Sequence, residues 1–262
     1  MVRRAIDGGY YRTDNVPSYN DEVIVKVENI SSVDNQVQDL SFEVHAGEIL
    51  GFAGLSDSGI HTVGELVYGL TKLKSGKVTL MRQNLEITNA SQALSNNCAY
   101  VPKDRDNQAL MIHASIMDNF ALPSATELSG KAGYISYGKI RELSYKMKEQ
   151  MSVKCRDIYQ PMNALSGGNK QKVNLGRWLA KDLQLLILDC PTRGVDVGVK
   201  AYIYQIMKEA KEKGIAMILI SDELTEVLGM SDRLIVMKDG KMKKLIRRDE
   251  DFTEHSVIGV MI

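Results

Sequence analysis

Three short runs constrain the fold more than any other feature. Leu185-Leu186-Ile187-Leu188, Ala216-Met217-Ile218-Leu219-Ile220 and Leu234-Ile235-Val236-Met237 are apolar without interruption. They are too short for stable helices and show no polar alternation, so neither face is left for water. Such runs read as strands covered on both sides, as in a parallel sheet flanked by helices. A parallel pair needs a long crossover, and Ile203, Ile206, Met207 and Ala210 recur at helical spacing between the first two runs. Upstream, Val23–Val27 and Leu40–Val44 alternate in part and predict an antiparallel layer. Ile49–Ala53 forms another apolar run, followed by a Gly-rich turn and then Val63, Leu66, Val67 and Leu70 at helical spacing. Asp239-Gly240 between apolar runs predicts a type I′ hairpin, whose two central residues need positive φ. The fold class is α/β.

Composition excludes several functions. Lys plus Arg and Asp plus Glu are equal at 33 each, so no global field favours nucleic acid. Cys98, Cys155 and Cys190, and His45, His61, His113 and His255, are dispersed along the chain. Their spacing supports neither a disulfide framework nor a zinc motif, and a reducing compartment is expected. No apolar stretch reaches the roughly 18 residues of a membrane span. The first residues, Met1-Val2-Arg3-Arg4, do not lead into an apolar run, so no signal peptide is expected. Residues 1–21 are polar, with Gly8-Gly9, Asn15 and Pro17, and read as a linker or arm. Residues 22–262 are expected to form one domain, with a mostly helical lobe at about 109–165.

Two Gly-rich segments carry candidate chemistry. Gly54-Leu55-Ser56-Asp57-Ser58-Gly59-Ile60-His61-Thr62 follows the apolar run and opens the predicted helix. Glycines with four residues between them let backbone N–H groups converge on an anion at a helix N-terminus. Ile60 stands where a phosphate-binding loop needs Lys, and His61 where it needs a hydroxyl, with Thr62 one place late. Taken alone, the segment is equally an ordinary turn between strand and helix. Leu165-Ser166-Gly167-Gly168-Asn169 opens a second helix, in which Val173, Leu175, Leu179 and Ala180 are available to a packed face. About 20 residues later, Asp189 ends an apolar strand, a position suited to magnesium, and Pro191-Thr192-Arg193-Gly194-Val195-Asp196 follows as a loop. The order and spacing of all three pieces weigh far more than any one of them.

On these residues the chain resembles the ATP-binding-cassette (ABC) domains, and more closely the second half of the tandem ATPase subunits of monosaccharide importers for ribose, galactose and related sugars. Gly47–Leu55, Tyr100–Arg105, Leu165–Lys172, Pro191–Gly198 and Gly229–Arg233 carry the match, which runs from about Val23 to Gly240. Met1-Val2-Arg3-Arg4 also resembles the tail of a preceding half. The resemblance implies a P-loop NTPase fold, with a RecA-like parallel core sheet, an antiparallel β layer and a helical lobe. It implies ATP and magnesium as cofactors, with Gly54, Ser58, Gly59, Ile60, His61 and Thr62 in the nucleotide loop and Asp189 as a weak magnesium ligand. Leu165, Ser166, Gly167, Gly168 and Asn169 would be the signature, and Asp196 would lie at a dimer interface. Implied partners are the first nucleotide-binding half, a membrane permease and, indirectly, a sugar-binding protein, at the cytoplasmic face of the membrane; no nucleic acid is implied.

Against the same pattern, four positions depart. Cys190 stands where the family has its catalytic Glu, Asp222 where it has the switch His, and Lys103 at the Gln-loop position. Ile60 replaces the phosphate-binding Lys, and no aromatic lies between Glu28 and Leu40 to stack on adenine. Replacing Lys by Ile60 and a loop Gly by Asp57 makes the loop about two charges more negative. At ~4 Å and an effective dielectric near 20, each unit pair is worth on the order of 4 kcal/mol before screening. Micromolar binding amounts to roughly 8 kcal/mol, so little nucleotide affinity and negligible turnover are expected here. Lys103 reads more simply as a solvated loop residue, Cys190 as a small buried one, and Trp178 as core. The expected role is therefore to complete the ATP site of the other half. The alternative is a regulatory or scaffold domain that never closes on nucleotide. A DNA-repair or chromosome-organising ATPase head would need long coiled-coil insertions, which the short gap before the signature does not hold.

Overall fold

In the computed structural model, residues 11–130 and 133–262 are described. The resemblance noted for Met1–Arg4 lies outside them. Elements follow in chain order as β1 (Val23–Ser32), β2 (Leu40–His45), β3 (Ile49–Gly54), α1 (Ile60–Tyr68), β4 (Leu73–Leu80), β5 (Leu85–Glu86), α2 (Ala90–Ser95) and β6 (Cys98–Val101). After a π-helical turn at Arg105–Ala109 come α3 (Ile116–Ala121), α4 (Ala125–Leu128), α5 (Tyr137–Gln150) and α6 (Gly167–Leu179). The chain continues with β7 (Leu185–Asp189), α7 (Val197–Glu212), β8 (Ala216–Ile220), α8 (Leu224–Met230), β9 (Arg233–Lys238), β10 (Lys241–Arg247) and α9 (Glu254–Met261). Two compact units divide these elements. One holds the described residues up to Tyr100 with Gln184–Cys190 and Tyr204–Ile262; the other holds Val101–Leu183 and Pro191–Ile203.

The apolar runs became strands because both of their faces are covered. Every residue of β7 and β8 is buried, as is each of β3 except Gly54. Strand order in this sheet is β10-β9-β3-β8-β7-β6, with β3 parallel to β8 and β9 and β7 parallel to β8. The expected parallel core is therefore present. β10 runs antiparallel to β9 through the predicted hairpin, where Asp239 has φ 52° and Gly240 φ 75°. A second sheet, β2-β1-β4-β5, is the expected antiparallel layer, with Val27 opposite both Phe42 and Val78. One apolar cluster joins the two sheets through α1 and includes Val27, Phe52, Ile60, Leu66, Ile187 and Ile218.

The second unit is built from helices. α3 begins with a capping box, in which Ser115 and Asp118 each accept from the other's backbone N–H. α6 lies close to its neighbours because of Gly176. A Cβ there would stand 2.6 Å from Met151 Cγ and 3.0 Å from Phe120 Cε1. Trp178 is buried, as the sequence predicts. Among the described residues no helix is long and apolar enough to cross a membrane.

Asp232 pins the start of the sheet. Its side chain is fully buried and accepts from Ile49 N–H at 2.9 Å, Ser18 N–H at 2.9 Å, Arg12 Nη1 at 2.7 Å and Lys211 Nζ at 2.8 Å. Residues 11–21 form no regular element, yet this cluster binds them down. Arg248 Nε adds a bond to Asp14 O at 2.8 Å. Burial draws the Lys211 ammonium below the usual lysine pKa, and the Asp232 charge opposes that. Removing the carboxylate would leave Arg12 and Lys211 without it in a largely dry site. Breaking such a group by removing one partner costs roughly 3–5 kcal/mol. Asp232→Ala is expected to lose stability on that scale in urea unfolding followed by circular dichroism, whereas a loss under about 1 kcal/mol would remove the pinning role.

Candidate functional site

Parallel strands deliver their C-terminal ends to one edge of a sheet, where loops rather than packed side chains meet. Phe52 and Asp189 both pair with Ile220, so the ends of β3, β7 and β8 lie level. The Gly54–Thr62 segment leaves β3 at this edge. Ser58 N–H bonds Leu55 O at 2.9 Å, and Gly59, at φ 86°, turns the chain into α1. A side chain at Gly59 would be excluded twice, because a Cβ would also stand 1.9 Å from Gln36 O. No side chain caps the N-terminus of α1, and Ser58 Oγ is buried with no hydrogen-bond partner. The backbone thus presents amide donors at a helix start, the arrangement that attracts an anion.

The side chains around this turn have different chemistry. Ile60 is fully buried in the core and brings no charge. His61, in the first turn of α1, lies between two carboxylates, with Nδ1 2.7 Å from Asp189 Oδ1 and Nε2 3.1 Å from Asp222 Oδ1. Tyr100 donates its hydroxyl to Asp189 Oδ2 at 3.3 Å. Burial, reinforced by the Asp189 charge, drives the Tyr100 phenol pKa far above its usual value and keeps it a donor. The same two causes raise the pKa of the Glu65 carboxyl one turn along α1. Cys190 is buried at φ 48°, fixed by its N–H bonding Ile220 O at 2.8 Å. Its Sγ lies with a ring nitrogen of His61 and a carboxylate oxygen of Asp222 inside a 4.8 Å group. The expectation of an inert, buried Cys190 holds for burial, but the dispersed histidines hid its neighbour His61.

In the helical unit a second constellation forms around α6. Ser166 occupies the N-cap, and its Oγ accepts from Asn169 Nδ2 at 2.9 Å. Asn169 Oδ1 in turn accepts from Lys154 N–H at 2.8 Å. Leu165 is buried beneath this turn. A Cβ on Gly168 would lie 2.7 Å from Val199 Cγ2, and one on Gly167 3.1 Å from Arg105 Nη2. The loop after Pro191 is tied to the same place, with Gln171 Nε2 donating to Pro191 O at 2.6 Å and Arg105 Nη1 to Arg193 O at 2.8 Å. Asp196 is exposed and accepts from Val199 N–H at 2.9 Å, which caps α7. Lys103 is also in this unit.

Candidate residues therefore fall into two groups. Gly54, Ser58, Gly59, Ile60, His61, Thr62, Asp189, Cys190 and Asp222 belong to the sheet unit, and Lys103, the Leu165–Asn169 turn and Asp196 to the helical unit. Sequence reading missed Tyr100 as a partner of Asp189, and Arg105 and Val199 as the packing around Gly167 and Gly168. Tyr100 and Arg105 stand in a segment noted for resemblance alone, with no contact implied.

Most residues of both groups lie within one continuous match, and Asp196 and Asp222 fall beyond its end. The ABC transporter family model covers residues 37–193, more than half of the chain. The chain belongs to this family. It is 38% identical over 263 residues to the ribose import ATP-binding protein of Lactococcus lactis subsp. cremoris, covering 97% of this chain and 51% of that protein. The ribose import ATP-binding protein of Bacillus cereus is 38% identical over 250 residues, covering 95% of this chain and 50% of its own length. The chain thus spans about half the length of these relatives. A bacterial ABC transporter cassette in a dimeric structure superimposes with a TM-score of 0.75 at 20% identity, over 86% of this chain and 99% of that one. That likeness shows the fold, the P-loop cassette that the resemblance implied.

Two glycines separate backbone strain from crowding. Gly214 has φ 81° with nothing within 4 Å of a Cβ, whereas Gly59 has φ 86° and Gln36 O at 1.9 Å. Gly214→Ala is expected to cost the left-handed strain alone, about 1–2 kcal/mol. Gly59→Ala should cost clearly more in the same urea titration, and equal costs would show that the turn into α1 yields freely.

Proposed function

We propose that this chain is one nucleotide-binding half of a sugar-import ATP-binding subunit, and that it serves ATP held mainly by another domain. Support for the sugar comes from the two ribose import relatives, each about twice the length matched here. In this reading residues 1–21 lead from a preceding half, residues 22–262 form the domain, and about 109–165 is its helical lobe. A membrane permease and, through it, a sugar-binding protein are its further partners, at the cytoplasmic face of the membrane.

The observation that carries the reading is the N-terminus of α6. Ser166 is placed at the cap, a Cβ on Gly168 would collide with Val199, and one on Gly167 would press against the end of Arg105. Such a turn offers uncapped amides, a hydroxyl and the positive end of the helix dipole to a phosphate. Asp196 belongs to this surface and is read as facing the partner half. Lys103 is read as part of the segment that transmits closure to the permease.

The sheet unit's own loop fits only half of a magnesium nucleotide. Its backbone suits an anion, and Ser58 Oγ is a buried hydroxyl in want of a partner. Its side chains do not suit the metal or the reaction. Both oxygens of Asp189 are already engaged, one beside His61 Nδ1 and the other accepting from the Tyr100 hydroxyl. Cys190 has no carboxylate with which to orient water, and Asp222 adds negative charge beside His61. No hydrolytic step is assigned to this loop. When bound between two domains, ATP supplies the free energy of closure and its hydrolysis resets the pair; this chain's contribution is the donor set at Ser166–Asn169.

The test uses the full-length protein that contains a preceding half. Ser166→Ala and Gly168→Asp are expected to lower ATP hydrolysis at least about tenfold, the equivalent of ~1.4 kcal/mol of transition-state binding. Unchanged hydrolysis in both variants would overturn the reading. Nucleotide-dependent association of the two halves would be retained by a working pair and absent from a purely regulatory or scaffold domain.

A further inference from the structure

Three elements bring ligand-bearing side chains to one point: His61 from the first turn of α1, Cys190 from the end of β7 and Asp222 from the end of β8. One ligand atom from each lies within 4.8 Å of the others. We propose that His61, Cys190 and Asp222 bind a divalent transition metal ion, zinc in the first instance, with Asp189 as the residue that orients His61. This goes beyond the division of labour proposed above and can fail without it.

The donor set selects the ion. An imidazole nitrogen, a thiolate and a carboxylate suit zinc or cobalt(II), whereas magnesium and calcium take oxygen ligands. Two ligands sharing a tetrahedral zinc stand about 3.3–3.6 Å apart, given bonds of roughly 2.0–2.3 Å. His61 Nε2 and Asp222 Oδ1 are already 3.1 Å apart, and Cys190 Sγ lies within 4.8 Å of a ring nitrogen of His61 and a carboxylate oxygen of Asp222.

The support behind the histidine points the same way. His61 Nδ1 is 2.7 Å from Asp189, a carboxylate 4% exposed whose other oxygen accepts from Tyr100. A buried carboxylate on one ring nitrogen fixes the proton there and leaves the other nitrogen to a metal, the usual backing of a metal-bound histidine. That other nitrogen faces Asp222, and two lone pairs 3.1 Å apart require a cation between them, a proton or a metal. Cys190 is held in a left-handed backbone conformation that a non-glycine residue adopts at a cost, and a main-chain bond to Ile220 fixes it there. The ion would tie the first turn of α1 to the ends of β7 and β8 and oppose movement of that turn on nucleotide binding.

The experiment is a titration of the chelator-treated chain with zinc and with cobalt(II), read by competition with a chromophoric chelator and by absorption. The expected result is about one ion per chain at micromolar or tighter affinity, with a thiolate-to-cobalt charge-transfer band. Cys190→Ser should abolish that band and Asp189→Asn should weaken binding by about 10–100-fold. His61→Gln and the half-exposed Asp222→Asn should each weaken binding at least tenfold while circular dichroism stays native. Cys98, a buried thiol pushed up to about 12, and Cys155 lie outside the group, so their serine variants should titrate like the parent. No binding at micromolar metal, a cobalt spectrum without the thiolate band, or titrations unchanged in both His61→Gln and Asp222→Asn would overturn the site.

Discussion

Strands buried on both faces leave a protein only their ends for chemistry, and that constraint organises this fold. β7 and β8 are covered throughout, so no polar side chain leaves them until Asp189 and then Ser221-Asp222. Parallel pairing aligns those exits with the exit of β3, and whatever follows the three strands is forced together. Residues 128 and 161 positions from His61 become its hydrogen-bond partners for this reason. The Asp232 cluster does the corresponding work at the opposite ends of the strands. There it satisfies Ile49 N–H and holds the segment before β1.

Much of this was legible in the sequence, because burial and turn chemistry act locally. Uninterrupted apolar runs gave parallel strands, partial alternation at Val23–Val27 gave the antiparallel layer, and Asp239-Gly240 gave a hairpin with both residues at positive φ. The Ser166-Gly167-Gly168 turn was recognisable as the start of a helix. What could not be read was the meeting of side chains across distant elements. Cys190 has no histidine near it along the chain, and periodicity says nothing of the level at which α1 begins. Tyr100 was visible only within a segment of family resemblance, and its bond to Asp189 depends on strand order, which local pattern does not fix.

The two glycine-rich turns show how similar backbones can serve different ends. Both open a helix with uncapped amides, and both exclude side chains by contact with neighbours: Gly59 with Gln36 O, and Gly168 with Val199. In the helical unit the side chains reinforce what the backbone offers, since Ser166 and Asn169 add polar groups to the amides and no carboxylate stands in that turn. At the sheet edge they oppose it. Asp222 and Asp189 face His61, and an anion brought to that turn would meet charge of its own sign.

That opposition gives a physical reason for a histidine at position 61. Two carboxylates converging on one turn repel each other unless something positive lies between them. A lysine at position 60 would supply that charge in a working phosphate loop, but Ile60 points into the core instead. His61 is placed to do so in either of two ways, by taking a second proton or by sharing a metal ion with its neighbours. Each way offsets part of the carboxylate charge from within.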